Sequence, residues 1–197
     1  GITSILRLST GELLIGTYGG GLSVYKDGGD DFISLVNDPN DSTTISNNRV
    51  LAIYEDSLGF VWIGTEMGLN RYHQESRTFQ RYFSERNESN SFSSDIPWCF
   101  YEDSNHTLWI GTSGGGINLW PIEDRVSGST NIRQIPDKST LPSSSIYGIK
   151  GNEKGWIWVS HSKGLSRINP KTLETRHYGI RDGLQANEFT LGASFNS

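Results

Sequence analysis

Between Val50 and Phe83, apolar and polar positions alternate in four short bursts separated by turn-formers. Val50–Glu55 is apolar and β-prone. Asp56-Ser57-Leu58-Gly59 after it is turn chemistry, because Asp can bond its own backbone and Gly tolerates positive φ. Phe60–Thr65 is a second apolar run, and Glu66-Met67-Gly68 turns again. Leu69–His73 alternates, Gln74–Thr78 is a polar turn, and Phe79–Phe83 alternates once more. Four short strands joined by tight turns predict an antiparallel meander. No apolar pattern at helical spacing persists for three turns anywhere in the chain.

The unit recurs. Ile-Gly-Thr triplets begin at Ile15, Ile63 and Ile110, and Val159-Ser160-His161 holds the fourth place, a period of roughly 48 residues. Four strands in a unit of ~40–50 residues is the pattern of a propeller blade. The expectation is an all-β protein, a β-propeller fragment of about four four-stranded antiparallel blades plus the first strand of a fifth. The blades cover residues 1–36, 46–83, 95–135 and 145–178, and 188–197 is the orphan strand. Asn37–Asn48 and Ser84–Ser94 read as connectors, and Pro121–Thr130 as a lengthened turn inside the third repeat. The repeat argues for one array and not two domains.

Aligning the first strands brings Ser4, Ala52, Cys99 and Gly148 to one position, all small, and Ile5, Ile53, Phe100 and Ile149 to the next, all large. Small residues where innermost strands crowd the axis, with large ones between blades, suit a propeller's taper. Trp62, Trp109 and Trp158 also coincide, with Leu14 in their place in the first repeat. An aromatic present in repeat after repeat serves packing, which every repeat needs.

Composition narrows the function classes. The net charge of −5 and pI near 5.4, with Lys and Arg scattered, remove the basic footprint of a nucleic-acid binder. No window approaches the ~18 consecutive apolar residues of a membrane-spanning helix. The chain starts at Gly1-Ile2-Thr3, already inside a predicted strand, and reads as a fragment of a longer protein without a signal peptide. Cys99, the single cysteine, sits at the small-residue position and reads as a buried small hydrophobe. Closed propellers hold roughly 4–8 blades. Four blades with a dangling strand would leave apolar blade faces open, and the expectation is a homodimer, or an arc packed on a second copy.

Little in the sequence points to catalysis, and no catalytic residue is expected. His73, His106, His161 and His177 fall at different places in their repeats and form no HxxxH or Cys/His cluster, so no metal site is expected. His106 takes the turn place that Gly59 holds one repeat earlier. Glu55-Asp56 and Glu102-Asp103 recur once per repeat at the same turn. A glycosidase needs two acids ~5–10 Å apart across one cleft, whereas a repeated acid reads as a turn stabiliser. The oxygen-rich loops Asn37–Asp41 and Gly28–Asp31 match no EF-hand spacing and read as solvated loops. Gly19-Gly20-Gly21 and Gly114-Gly115-Gly116 read as tight turns and not as a phosphate cradle, and no cofactor is expected.

The pattern D-x-x-G-x-x-W-I-G-T-x-x-G-L, present as Asp56, Gly59, Trp62-Ile63-Gly64-Thr65 and Gly68-Leu69, resembles the two-component regulator propeller repeat. Asp41–Val50 and Ser139–Ile149 look like that family's inter-blade linkers. Asp182–Phe189 with Gly192-Ala193 resembles the segment leading into its last blade. The first repeat lacks the Asp and the Trp, and the fourth has Val-Ser-His for Ile-Gly-Thr. The resemblance implies the extracytoplasmic (periplasmic) sensor region of a membrane-anchored hybrid histidine kinase. It would detect an oligosaccharide or other small extracellular ligand and signal to transcription, with no enzyme activity in this part. The alternatives are a propeller enzyme acting on glycans, of lyase or sialidase type, and a protein-interaction platform.

The loops joining the second strand to the third, and the fourth to the next first, emerge on one face of a propeller. They carry the candidate ligand residues Tyr18, Asn48, Arg49, Trp98, Tyr147 and His161, with His161 read as lying in such a loop. Trp98 and Tyr147 align with Leu51 and Thr3, so unlike residues meet around one mouth, as a single pocket requires. Aromatics with Asn and Arg suit a sugar. The competing reading is that Trp98 and Tyr147 plug the channel.

Overall fold

The computed structural model describes residues 1–25, 31–85, 91–135, 141–186 and 189. It contains four antiparallel sheets of four strands. Blade 1 is β1 (Ile2–Arg7), β2 (Leu13–Thr17), β3 (Leu22–Tyr25) and β4 (Ile33–Leu35), paired in chain order. Blade 2 is β5 (Val50–Glu55), β6 (Val61–Thr65), β7 (Gly68–His73) and β8 (Thr78–Tyr82). Blade 3 is β9 (Pro97–Glu102), β10 (Leu108–Thr112), β11 (Ile117–Trp120) and the short β12 (Arg133–Gln134). Blade 4 is β13 (Ile146–Gly151), β14 (Ile157–His161), β15 (Gly164–Ile168) and β16 (Thr175–Tyr178). The expected propeller blades are therefore present. The expected strand at 188–197 lies outside the described residues except for Phe189.

The long turn in blade 3 holds a helix, α1 (Ile122–Ser127), that the apolar pattern does not announce. Six residues are too few for a helical period to show. Its Arg125 is 1% exposed and bonds Glu102 Oε1 at 2.6 Å and the carbonyl of His106 at 2.7 Å, so tertiary contacts hold the helix in place.

The chain forms two compact units. One is Gly1–Ser84 with Asp95–Pro97, and the other is Glu85–Ser94 with Trp98–Ser197. The first holds blades 1 and 2 around Leu14, Leu22, Val24, Ile53, Val61, Ile63, Tyr72 and Phe79. In the second, Trp109, Ile117 and Leu119 of blade 3 pack on Ile149, Ile157, Val159 and Ile168 of blade 4. Ile53, Phe100 and Ile149 are buried, whereas their repeat equivalent Ile5 is 60% exposed.

The recurring motif has a packing explanation. A Cβ on Gly16 would stand 2.6 Å from Val50 Cγ1, and one on Gly64 would stand 2.5 Å from the Pro97 carbonyl oxygen. On Gly111 it would stand 2.5 Å from Cys99 Sγ and 2.6 Å from Ile146 Cγ2. Each glycine thus admits the first residue of the following innermost strand. The Thr after it caps the next turn: Thr17, Thr65 and Thr112 donate to the carbonyls of Gly21, Gly68 and Gly116 at 2.9, 2.9 and 3.0 Å.

The Asp and Trp of the motif are one device. Asp56 Oδ1 accepts from the amides of Leu58 and Phe60, and its Oδ2 accepts the Trp62 indole N–H at 2.9 Å. Asp103 does the same for Asn105, Thr107 and, at 2.8 Å, Trp109. Of the repeated acids, Asp56 and Asp103 are turn clasps, whereas Glu55 accepts from Ser9 and Glu102 from Arg125. His106 has φ 57 where Gly59 has φ 76, which confirms their shared turn place.

Candidate ligand-binding edges

The connectors that precede β5, β9 and β13 run along the turns between second and third strands. Gly19 and Gly21 donate to the Asn48 carbonyl, Gly68 to that of Asp95, and Gly116 to that of Ser144. Within each unit these bonds bring residues from separate segments together, and each unit carries a cluster of its own.

In the first unit Tyr18 and Arg49 form an isolated antiparallel bridge, which fixes their side chains beside each other. The Tyr18 hydroxyl donates to Glu66 Oε1 at 2.6 Å, Arg49 Nη1 donates to Glu66 Oε2 at 2.7 Å, and the Arg49 guanidinium lies 4.9 Å from the Tyr18 ring centre. The Tyr18 hydrogen bond, followed by the one from Arg49, pulls the Glu66 carboxyl below its usual range. The Glu66 hydrogen bond pushes Tyr18 up, and the same carboxylate pushes Arg49 up. Tyr18 is 50% and neighbouring Met67 56% exposed, so the trio is open to solvent.

In the second unit the Trp98 and Tyr147 rings lie 5.5 Å apart at an interplanar angle of 37°, both half-buried. Tyr147 occupies the register shift between Ile146 and Gly148, a bulge that turns its side chain off the regular pleat. Thr3 and Leu51 hold the same shift in β1 and β5. Bulge geometry is what makes this position available for unlike residues.

The remaining two expected residues have other tasks. Asn48 accepts the Asn37 amide on Oδ1 at 2.7 Å and anchors the connector, so it is a scaffold residue. His161 is not in a loop: it ends β14, is 0% exposed, and bonds Ser166 Oγ at 2.6 Å. Its ring replaces the turn-capping Thr of the other blades, accepting the Lys163 amide on Nδ1 at 3.2 Å. Glu66 is the residue that completes the Tyr18–Arg49 trio. Its signal is that the matching repeat positions hold unlike residues, Tyr18, Ser113 and Ser162.

The oxygen-rich loop Asn37–Asp41 also serves the scaffold, while Gly28–Asp31 lies outside the described residues except for Asp31. Asp41 Oδ1 accepts from the Thr43 amide and hydroxyl, and Asp38 Oδ1 from the Asn40 amide. Arg81 donates to the carbonyls of Thr44 and Asp41 at 2.7 Å. Among the described residues no group of three metal-ligating side chains is found.

Comparison with known proteins agrees with this architecture. The chain matches the two-component regulator propeller family over residues 44–67 and 91–114, each match starting in a connector and ending after a second strand. It is 38% identical over 186 residues to Histidine kinase P4 of Formosa agariphila, covering 92% of this chain and 13% of that one. It superposes on the extracellular domain of a hybrid two-component system of B. thetaiotaomicron with a TM-score of 0.77 at 28% identity, covering 89% of this chain and 24% of the other. Virginiamycin B lyase of Staphylococcus aureus, at 16% identity and a TM-score of 0.62, shares the fold alone.

Proposed function

The chain is built from two-component regulator propeller repeats, and from that premise we propose that it is an extracytoplasmic sensing segment whose ligand is an oligosaccharide. The observation that carries the reading is the contrast between repeated and unrepeated residues. Asp56, Asp103, Trp62 and Trp109 recur and are spent on turns and core. Tyr18, Arg49 and Glu66 in the first unit, and Trp98 and Tyr147 in the second, do not recur. The Trp98–Tyr147 pair offers an aromatic platform for a sugar ring, and the trio offers a carboxylate acceptor beside guanidinium donors, the two kinds of contact a polyol uses. In the longer protein, ligand binding would bias the geometry passed to a kinase and on to transcription. The turn-clasp role of the repeated acids favours a sensor over a glycan-cleaving enzyme.

The test is calorimetric titration of an oligosaccharide panel against the chain and its Trp98→Ala and Arg49→Ala variants. Binding by the parent that weakens at least tenfold in a variant of unchanged thermal stability supports the reading. A panel without a binder, alongside capture of a folded protein partner, would favour the interaction-platform alternative. The exposed Ile5 face extends the proposal to self-association: light scattering across a tenfold dilution should show a homodimer that dissociates, and a constant monomer mass contradicts it.

A further inference from the structure

Blades 2, 3 and 4 serve as controls for one another at a polar rung running across the second, third and fourth strands, buried on the second and third strands and reaching the exposed His177 on the fourth strand of blade 4. In blade 2 the rung is Thr65, Asn70 and Arg81, and it grips the connector. Asn70 Oδ1 accepts the Ser46 amide at 2.9 Å, Ser46 Oγ meets Thr65 Oγ1 at 2.9 Å, and Arg81 takes the Thr44 carbonyl. In blade 3, Asn118 Oδ1 accepts the Ser93 amide at 3.0 Å, and Gln134 donates to the Ser91 carbonyl at 3.1 Å. In blade 4 all three positions change together, to His161, Ser166 and His177.

These three bond one another. Because His161 Nδ1 accepts the Lys163 amide, its proton is on Nε2 and is donated to Ser166 Oγ at 2.6 Å. Ser166 Oγ also meets His177 Nδ1 at 2.8 Å. The connector entering blade 4 is held from the turn beyond His161, by the Ser143–Ser162 hydroxyl contact at 2.7 Å.

We propose that blade 4 carries an acid-released latch, in which protonation of His161 opens the turn between β14 and β15 and frees the connector that precedes β13. The added proton lands on Nδ1 and sets one donor against another, the Lys163 amide. The turn holding Ser162 then loses its cap, and with it the Ser143 contact. Ile146 pairs with His161 across β13 and β14, so the disturbance reaches the residue next to Tyr147, on the candidate ligand edge.

The surroundings set the acid range. Burial, then His177 and Lys163, hold the His161 imidazole down to about 4. On the packed face, β9 supplies Cys99 and Tyr101, both pushed up by burial and so neutral, and β10, β11 and β13 supply the apolar Trp109, Ile117, Leu119 and Ile149. The connector at 141–145 is Leu-Pro-Ser-Ser-Ser, without a titratable group. None of these groups is a carboxylate that would stabilise imidazolium, so the latch stays closed at neutral pH and opens in acid.

Histidine-selective NMR with amide hydrogen exchange on the whole chain tests this. The expected result is an Nε2–H tautomer for His161 at neutral pH. Exchange at Lys163 and Ser143–Tyr147 should then rise at least tenfold in the pH window where His161 takes its proton. His161→Thr, the residue the other blades use, should make that exchange independent of pH. His177→Gln, the blade 3 residue, should move the His161 midpoint upward by removing a like charge. The proposal is overturned if connector exchange does not follow the His161 midpoint, or if His177→Gln leaves or lowers that midpoint.

Discussion

Asp56 and Asp103 each close a turn and secure a buried indole with a single carboxylate. Asp56→Ala strands two amides and the Trp62 N–H, and charged hydrogen bonds of this kind are worth roughly 1.5–3 kcal/mol. A loss of about 2–4 kcal/mol in urea unfolding is expected, and a change below ~0.5 kcal/mol would refute the clasp role. The role was legible in sequence because the acid, the glycine and the Trp recur at fixed spacing. His161 was not, because nothing in a single odd triplet says that its ring replaces a Thr hydroxyl inside the sheet. Its low folded pKa of about 4 fixes the sign of a pH effect. Above the ordinary imidazole range the stabilisation is whole. As pH falls from about 6.5 towards 4 the unfolded chain takes the proton first, and stability declines by an amount on the order of 2–3 kcal/mol. Thermal unfolding of the parent against His161→Thr over that range checks it, with the smaller pH slope expected in the variant.

At the scale of elements, blade order and strand number followed from period-2 alternation and turn residues. The connectors were less visible. They read as polar loops, yet Ile45, Phe92 and Leu141 are buried and Ser46 and Ser93 bond into the following blade, so each connector belongs to the blade it enters. The helix α1 escaped because its anchor is one buried Arg and not an apolar stripe. The Ile-Gly-Thr glycine makes a sharper prediction. Gly111→Ala places a methyl 2.5 Å from Cys99 Sγ and 2.6 Å from Ile146 Cγ2, and overpacking of this kind costs about 1–3 kcal/mol. Cys99→Ala in the same chain should recover part of that loss, and a double variant no better than the single would contradict the packing account of the motif.

At the scale of the whole molecule, repetition separates scaffold from function. The recurring Asp, Trp, Gly and Thr of blades 2 and 3 are consumed by turns, core and close strand approach, and the candidate residues lie among the positions that vary. Trp98 and Tyr147 are singled out by aligning repeats, and Tyr18 and Arg49 by their place in the loops. Glu66 lies in the same second-to-third-strand loops, but its pairing with Tyr18 and Arg49 shows only once the bridge between two segments is formed. The chain covers 13% of the histidine kinase it matches, and under the proposed sensing role the signalling output would lie outside this chain. The proposed ligand residues can be examined on this chain directly. The six Trp residues give resolvable indole N–H resonances, one of them from Trp98. On titration with an oligosaccharide that binds, the Trp98 resonance should shift with the binding isotherm while those of the buried Trp62 and Trp109 stay in place. Binding that leaves Trp98 unmoved, or that shifts the buried indoles instead, would contradict a ligand edge built from the unrepeated residues.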